Sequence, residues 1–310
     1  MNTRPGRFDT IRKHPALRAV VAAALLSAVV YFVDVRTVWS HVRSFDPRVA
    51  AMMLGANLLL FALLTFRWHT VARTLGVEAP YARFLRGVWL GAFFAQLGPA
   101  LVLNEITRFR LLLPYARKWP LGVSQLLDRL SGQIALAVIV IALTPWYLRL
   151  FPAEAGLTIV LLSALVILIG GALLFVAPRI GSMALPSGVL RTILNPFASP
   201  THYACSLAIQ LLLMMNFALA GHGLGAGGHD VDLFLVAPLV LGALTILPLS
   251  FADWGSREAA ALLFLSSTGL TAEQIVAISL VYGGINVLSV LPAGLLMFHP
   301  GTRQQAGKGA

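Results

Sequence analysis

Charge is scarce in this chain, and acid is scarcer than base. Only 11% of its 310 residues are charged and 58% are hydrophobic, against the roughly 25% charged content of globular domains. That balance excludes an ordinary soluble protein. Cysteine occurs once, at Cys205 inside an apolar run, so no intramolecular disulfide is available and the residue reads as a small packed side chain. No hydrophilic stretch exceeds about 30 residues, which leaves no room for a folded soluble domain. The apolar runs do not alternate polar with apolar, which excludes the strands of a transmembrane barrel. Gly-x-Ser-x-Gly and His-Glu-x-x-His motifs are missing, and the glycine-rich stretch 221–228 neither follows a strand nor leads into Gly-Lys-Ser/Thr, so it is no nucleotide loop.

What is present is a series of apolar runs near the roughly 20 residues that cross a bilayer as a helix. They cover about 17–33, 49–66, 87–103, 121–147, 157–177, 203–221, 233–250, 259–268 and 275–298. The first follows a basic terminus, as in a signal peptide, but its exit Tyr31-Phe-Val-Asp-Val has no small-x-small cleavage site and it is read as an uncleaved span. Two regions, 82–113 and 233–265, are broken by Gln96-Leu-Gly-Pro99 and Leu247-Pro248-Leu-Ser250, each followed by charges and a shorter apolar arm. The positive-inside rule separates two ways of threading them. As plain spans they leave 12 Lys and Arg on the cytoplasmic side and 9 outside. As re-entrant hairpins they put 17 inside and 4 outside, with Arg129 and Arg257 embedded.

The sequence therefore predicts an all-α polytopic membrane protein with six spans and two re-entrant helical hairpins arranged as two inverted repeats. The whole chain, 1–310, is one membrane domain, with repeat one at about 15–147 (hairpin 82–113), repeat two at about 157–298 (hairpin 233–265) and a polar tail at 299–310. Both termini lie in the cytoplasm and the membrane is the cytoplasmic (plasma) membrane. Inverted repeats with broken helices are the recurring plan of secondary transporters. The net charge of +11 becomes mainly an orientation signal and a contact with anionic lipid, and nucleic acid drops out as a partner.

A charge at the bilayer centre costs about 2.5 to 3.5 kcal/mol even on lenient scales, so the embedded Glu105, Arg108, Asp128, Arg129, Asp253, Arg257 and Glu258 are the candidate substrate-binding residues. Glu105 and Arg108 lie three apart on one helix face and are expected to pair, with Arg110 off that face. Arg257 and Glu258 open the returning helix of the second hairpin after Asp253-Trp-Gly255-Ser256, where free backbone N–H groups and an arginine favour an anion. Gln125, Arg129 and Gln133 form a stripe that would face the first hairpin, flanked by Asp128. Purely structural ion pairing is the competing reading of all these charges. Arg67-Trp68 reads as an interfacial anchor, and Gly87 with Gly91 reads as a close-packing face, as do Gly283-Gly284 with Asn286 unless they let backbone approach the cavity. His222, His229, Asp230 and Asp232 lack the spacing of a metal site, and no cofactor is implied.

Arg67-Trp68, Gly91 through Pro99 to Glu105-x-x-Arg108, Asp128-Arg129-Leu-x-Gly132, and Leu247-Pro248-Leu-Ser250 to Trp254-Gly255-Ser-Arg257-Glu258 together resemble the lysylphosphatidylglycerol synthase transmembrane region, or flippase-like, family, over about residues 15–298. Ala100-Leu-Val-Leu-Asn104 stands where that pattern is richer in glycine, and Asp253-Trp254 where it is often small. The resemblance implies translocation of a lipid with an anionic or amino-acid-modified headgroup between leaflets, without an enzymatic step. The short polar tail ending at Ala310 suits a stand-alone translocator rather than a synthase. The partners implied are a membrane phospholipid or polyprenyl-linked lipid, a separate lipid-modifying enzyme, and a second copy of the chain. Two alternatives stay open: a membrane-embedded transferase acting on a lipid-linked substrate, with carboxylates as base or metal ligands, and a small-solute secondary transporter.

Overall fold

The computed structural model describes residues 35–151, 199–246 and 253–295. Among them the chain is helical, with no strand: α1 Val35–Arg43, α2 Pro47–Thr74, α3 Tyr81–Ala95, α4 Ala100–Leu112, α5 Lys118–Ala142, α6 Thr144–Leu150, α7 Pro200–Gly223, α8 Asp230–Ile246, α9 Ser256–Leu265 and α10 Ala272–Leu295. Local chemistry sets many of the ends. Asp46 caps α2 by accepting the Arg48 N–H at 2.8 Å, with Pro47 in the first turn, as N-caps and N1 prolines do. At α10 a reciprocal box forms, the Gln274 side chain accepting from the Thr271 N–H and the Thr271 hydroxyl accepting from the Gln274 N–H.

Five stretches among the described residues are long and apolar enough to cross a bilayer: Pro47–Thr74, Lys118–Ala142, Pro200–Gly223, Gly227–Leu244 and Ala272–Leu295. The protein is thus an integral membrane protein of the all-helical class. Four of these match the expected runs at 49–66, 121–147, 203–221 and 275–298. The fifth is the first arm of the region 233–265, so that arm by itself has the length and apolarity of a span. The expected runs at 17–33 and 157–177, the break at Leu247–Ser250 and the tail at 299–310 lie outside the described residues. Two boundaries differ from expectation. The run 49–66 continues without a break to Thr74, which puts Arg67 and Trp68 inside α2. The run 121–147 stops at Ala142, and Pro145 opens a separate short helix, α6, because proline has no N–H for the ladder.

The region 82–113 folds as a hairpin. Its arms of 15 and 13 residues are about 22 and 20 Å long at 1.5 Å per residue, short of the roughly 30 Å hydrocarbon core. They pack antiparallel, as two glycines show: a Cβ on Gly91 would meet Asn104 and Arg108, and one on Gly87 would meet Leu112 and Trp68. The expected close-packing face at Gly87 and Gly91 is therefore found, and it lets Arg108 pass tightly under α3. Hairpin formation follows from Gly98-Pro99, where the helix cannot continue, and the Leu103 N–H rejoins the Pro99 carbonyl at 3.0 Å.

Helices α2, α5, α7 and α10 form the centre, with the pairs α3–α4 and α8–α9 packed around them. Each extensive contact among these eight helices is reproduced when α2, α3, α4 and α5 are exchanged for α7, α8, α9 and α10. For example, α3 packs on α2 and α10, and α8 packs on α7 and α5. Helices α2 and α7 are antiparallel, since Asn57 bonds Asn216 while Arg67 bonds Ser206. In lipid, apolar burial supplies little attraction between helices, so small residues and polar links carry association. Here Gly221 admits Leu233 and Ile278, Gly223 admits Phe45, and Trp89 donates to the Ser289 carbonyl at 2.9 Å, tying α3 to α10.

Candidate functional site

The embedded charges fall into two networks. In the first, Asp128 of α5 accepts from two arginines at once: the Arg67 Nε at 2.8 Å on one oxygen and an Arg108 guanidinium nitrogen at 2.7 Å on the other. All three side chains are buried. The Trp68 ring lies under the Arg108 guanidinium, 4.0 Å from its centre, and donates its indole N–H to Ser124 at 3.1 Å. This is a cation–π contact in a desolvated place. Glu105 pairs with Arg108 at 3.6 Å, one turn away on α4 as expected, and with Arg129 at 3.9 Å. Glu105 and Arg129 are each about a third exposed, so they mark the open side of the network. Arg110, off that face, is exposed.

Arg67-Trp68 does not serve as an interfacial anchor. Arg67 is 4% and Trp68 0% exposed, because α2 runs on past them and turns both toward α5. Arg67 reaches Ser206 of α7 at 3.4 Å and lies against Gly132. The stripe expected to face the first hairpin meets it through Gln125 and through Arg129, which pairs with Glu105, and the flanking Asp128 joins them. Gln125 bonds the Glu105 carbonyl at 3.1 Å and Asp128 holds Arg108, while Arg129 points to the half-open rim. The inward face is Ser124, Asp128 and Ser131, spaced i, i+4, i+7, with Gln125 beside it.

The second network joins α9 and α10. Arg257 and Glu258 pair at 3.5 Å. Glu258, 1% exposed, accepts the Gly255 N–H at 2.6 Å and the Ser279 hydroxyl at 2.9 Å. The helix N-terminus that the sequence offered to an external anion is thus capped by its own Glu258, and the spacing Gly255-x-x-Glu258 is that of a capping box. Gly255 supplies φ +82°, open to glycine without steric cost. Arg257 lies over the rings of Trp254 and Tyr282, and a Cβ on Gly283 would collide with its guanidinium. The expected small face at Gly283 therefore seats an arginine rather than another helix. Asp253 is half-buried at φ 62°. Its carbonyl accepts from Arg257 N–H and Ser256 hydroxyl, and its carboxylate joins no ion pair among the described residues.

Between the two networks lies a neutral ladder missed in the sequence. Asn216 of α7 donates to Asn57 of α2 at 3.0 Å, and Asn57 donates to Asn286 of α10 at 3.0 Å. Along α2, Asn57 is ten residues from Arg67, about 15 Å, and along α10 Asn286 is one turn from Gly283, about 5 Å. Asn57 and Asn216 are buried, so the polar file is closed at that level. Elsewhere, Cys205 is packed with Leu60 and Ile209, and His222 and His229 pair with Asp230 and Asp232 at the start of α8.

The arithmetic of the first network has chemical consequences. Arg67, Arg108 and Arg129 carry three positive charges against two on Asp128 and Glu105, a surplus of one inside a membrane-embedded site. Arg108 Nε is buried and has no hydrogen-bond partner among the described residues. A phosphate or phosphodiester meets both needs, since arginine presents a donor fork to such oxygens.

Comparison with known families matches residues 16–294 to the lysylphosphatidylglycerol synthase TM region. Comparison with curated proteins and with solved structures finds no match. With nearly its full length matched, the chain belongs to the lysylphosphatidylglycerol synthase transmembrane region family, a family of membrane proteins connected by its description to lipid modification.

Proposed function

We propose that this protein moves an anionic or amino-acid-modified lipid, or a lipid-linked phosphate, between membrane leaflets, and that it carries out no covalent chemistry. The observation that carries the reading is the buried pair Arg67 and Arg108 sharing the single carboxylate of Asp128. A buried surplus charge is costly without a partner, and a headgroup phosphate is the partner that a membrane supplies. The headgroup enters at the open rim of Glu105 and Arg129, passes the Arg67–Asp128–Arg108 site and the asparagine ladder, and leaves past Arg257, while the acyl chains stay in lipid. Glu258 balances Arg257 on that second side, and Asp253, in no ion pair among the described residues, adds a second carboxylate there.

On this reading the hairpins at 82–113 and 233–265 are re-entrant and the chain is two inverted repeats with six spans. Supporting this are the exchange symmetry of the helix contacts and the antiparallel run of α2 and α7. The basic residues orient both termini to the cytoplasm of the plasma membrane. The partners are then a phospholipid or polyprenyl-linked lipid, an enzyme that modifies it, and in a homo-oligomer a second copy.

The test is reconstitution into liposomes carrying a fluorescent phosphatidylglycerol, with a membrane-impermeant reductant reporting the outer leaflet. The parent protein should expose the inner-leaflet probe. Arg257→Ala should slow this at least about tenfold, the effect of losing one charge-assisted contact of roughly 1.5 kcal/mol. Absence of protein-dependent movement, or equal rates for the variant and the parent, would overturn the reading.

A further inference from the structure

His202 is the third residue of α7, 5% exposed, and neither network above uses it. Its Nε2 lies 2.7 Å from the Ser131 hydroxyl oxygen. That hydroxyl spends its single proton on the Leu127 carbonyl, at 2.7 Å, so toward the imidazole Ser131 is an acceptor. With that bond made, Nε2 donates to Ser131 and Nδ1 is left as a bare lone pair. Nδ1 is buried and has no hydrogen-bond partner among the described residues. A fixed tautomer with an unmet acceptor is an unusual arrangement in a membrane-embedded bundle, where a bare polar atom costs stability.

The position of His202 ties it to the anion site from two sides. From α5, Ser131 is three residues beyond Asp128, on the same face. From α7, Ser206 donates to the His202 carbonyl at 3.0 Å and accepts from Arg67 at 3.4 Å. The charged groups that face the imidazole from the packed elements are Arg67 of α2 and Asp128 of α5. On its own helix the Tyr203 ring lies edge-on to it. Asp128 already divides its charge between two arginines, so a proton on Nδ1 would add a second surplus positive charge to a site with one.

We infer that His202 is a proton-binding site coupled to the headgroup-binding site, so that an anionic headgroup and a proton bind together. The proton binds Nδ1 as the headgroup arrives and is released when the headgroup leaves. The headgroup offsets the charge that the imidazolium adds, and by linkage the proton tightens the headgroup to the same degree. Histidine suits this role because one ring nitrogen can hold Ser131 while the other is left to take a proton. The inference rests on the lipid-translocation reading for the identity of the anion.

The experiment is calorimetric titration of the detergent-solubilised protein with dioctanoylphosphatidylglycerol, repeated in two buffers of different ionisation enthalpy. The difference in heat gives protons taken up per lipid bound. The parent should take up a substantial fraction of one proton, on the order of 0.5 to 1. His202→Gln keeps a donor toward Ser131, and should bind with uptake reduced to near zero. Binding without proton uptake by the parent overturns the coupling and leaves the translocation reading standing. Unchanged uptake in His202→Gln overturns the assignment to His202. Absence of binding by the parent overturns both, and because the parent measurement decides the coupling by itself, poor folding of the variant does not rescue it.

Discussion

Replacing Asp128 with alanine is expected to destabilise the protein by about 3–5 kcal/mol, the cost of removing one partner from a buried ion pair. The cost is at the top of that range because one deletion strands two cations. Arg67 loses its 2.8 Å contact and Arg108 its 2.7 Å contact, and neither can reach water. Arg108 retains Glu105 at 3.6 Å and the Trp68 face, while Arg67 retains, among the described residues, the long bond to Ser206. Asp128→Asn, which keeps the shape and an acceptor oxygen, should recover little, because the missing quantity is charge. Thermal unfolding in detergent, followed by size-exclusion of the heated sample, measures this. A midpoint for Asp128→Ala within about 2 °C of the parent, well under the shift that such a loss of stability produces, would show that the two arginines are satisfied by something else.

Gly283→Ala should do the reverse: retain the fold and abolish most transport. The three atoms nearest to a Cβ at this position all belong to the guanidinium of Arg257, the far end of a flexible side chain that can yield, and alanine is the better helix former by about 1 kcal/mol. The guanidinium must instead leave its place against Gly283, between the Trp254 and Tyr282 rings. Its loss of aim should slow lipid movement on the order of tenfold or more, as small misplacements of a positioned group do. The melting midpoint should stay within a few degrees of the parent value. A variant that melts normally and moves lipid at the parent rate would remove Arg257 from the path. One that fails to fold would give Gly283 a purely packing role.

The difference between these two substitutions explains what the sequence discloses. The first hairpin was legible because its signals are local: Gly98-Pro99 cannot be helical, and Glu105 and Arg108 face each other at i, i+3. Four spans were legible from length and apolarity. Arg67 was not, because its partner is 61 positions away and an arginine beside a tryptophan at the end of an apolar run has the composition of a headgroup anchor. Ser124, Asp128 and Ser131, at helical spacing on one face, were the available signal that α5 turns its acid inward. A count of arginines against the lone Asp128 was the second. The capping role of Glu258 was also available, in the interval from Gly255. The asparagine ladder was not, since Asn57, Asn216 and Asn286 carry no charge that a bilayer penalises visibly in sequence, and they meet only through the packing of α2, α7 and α10.

The central claim is that buried surplus positive charge selects and carries an anionic headgroup. Its most direct measurement is the ratio of translocation rates for fluorescent phosphatidylglycerol and fluorescent phosphatidylcholine in the same liposomes, for the parent and for Arg67→Gln combined with Arg108→Gln. The parent should favour the anionic lipid by at least about tenfold, and the double variant by a factor near one, since about 1.4 kcal/mol of charge-assisted recognition corresponds to each factor of ten. Equal rates for the two lipids with the parent protein, or an undiminished preference in the double variant, would contradict the account.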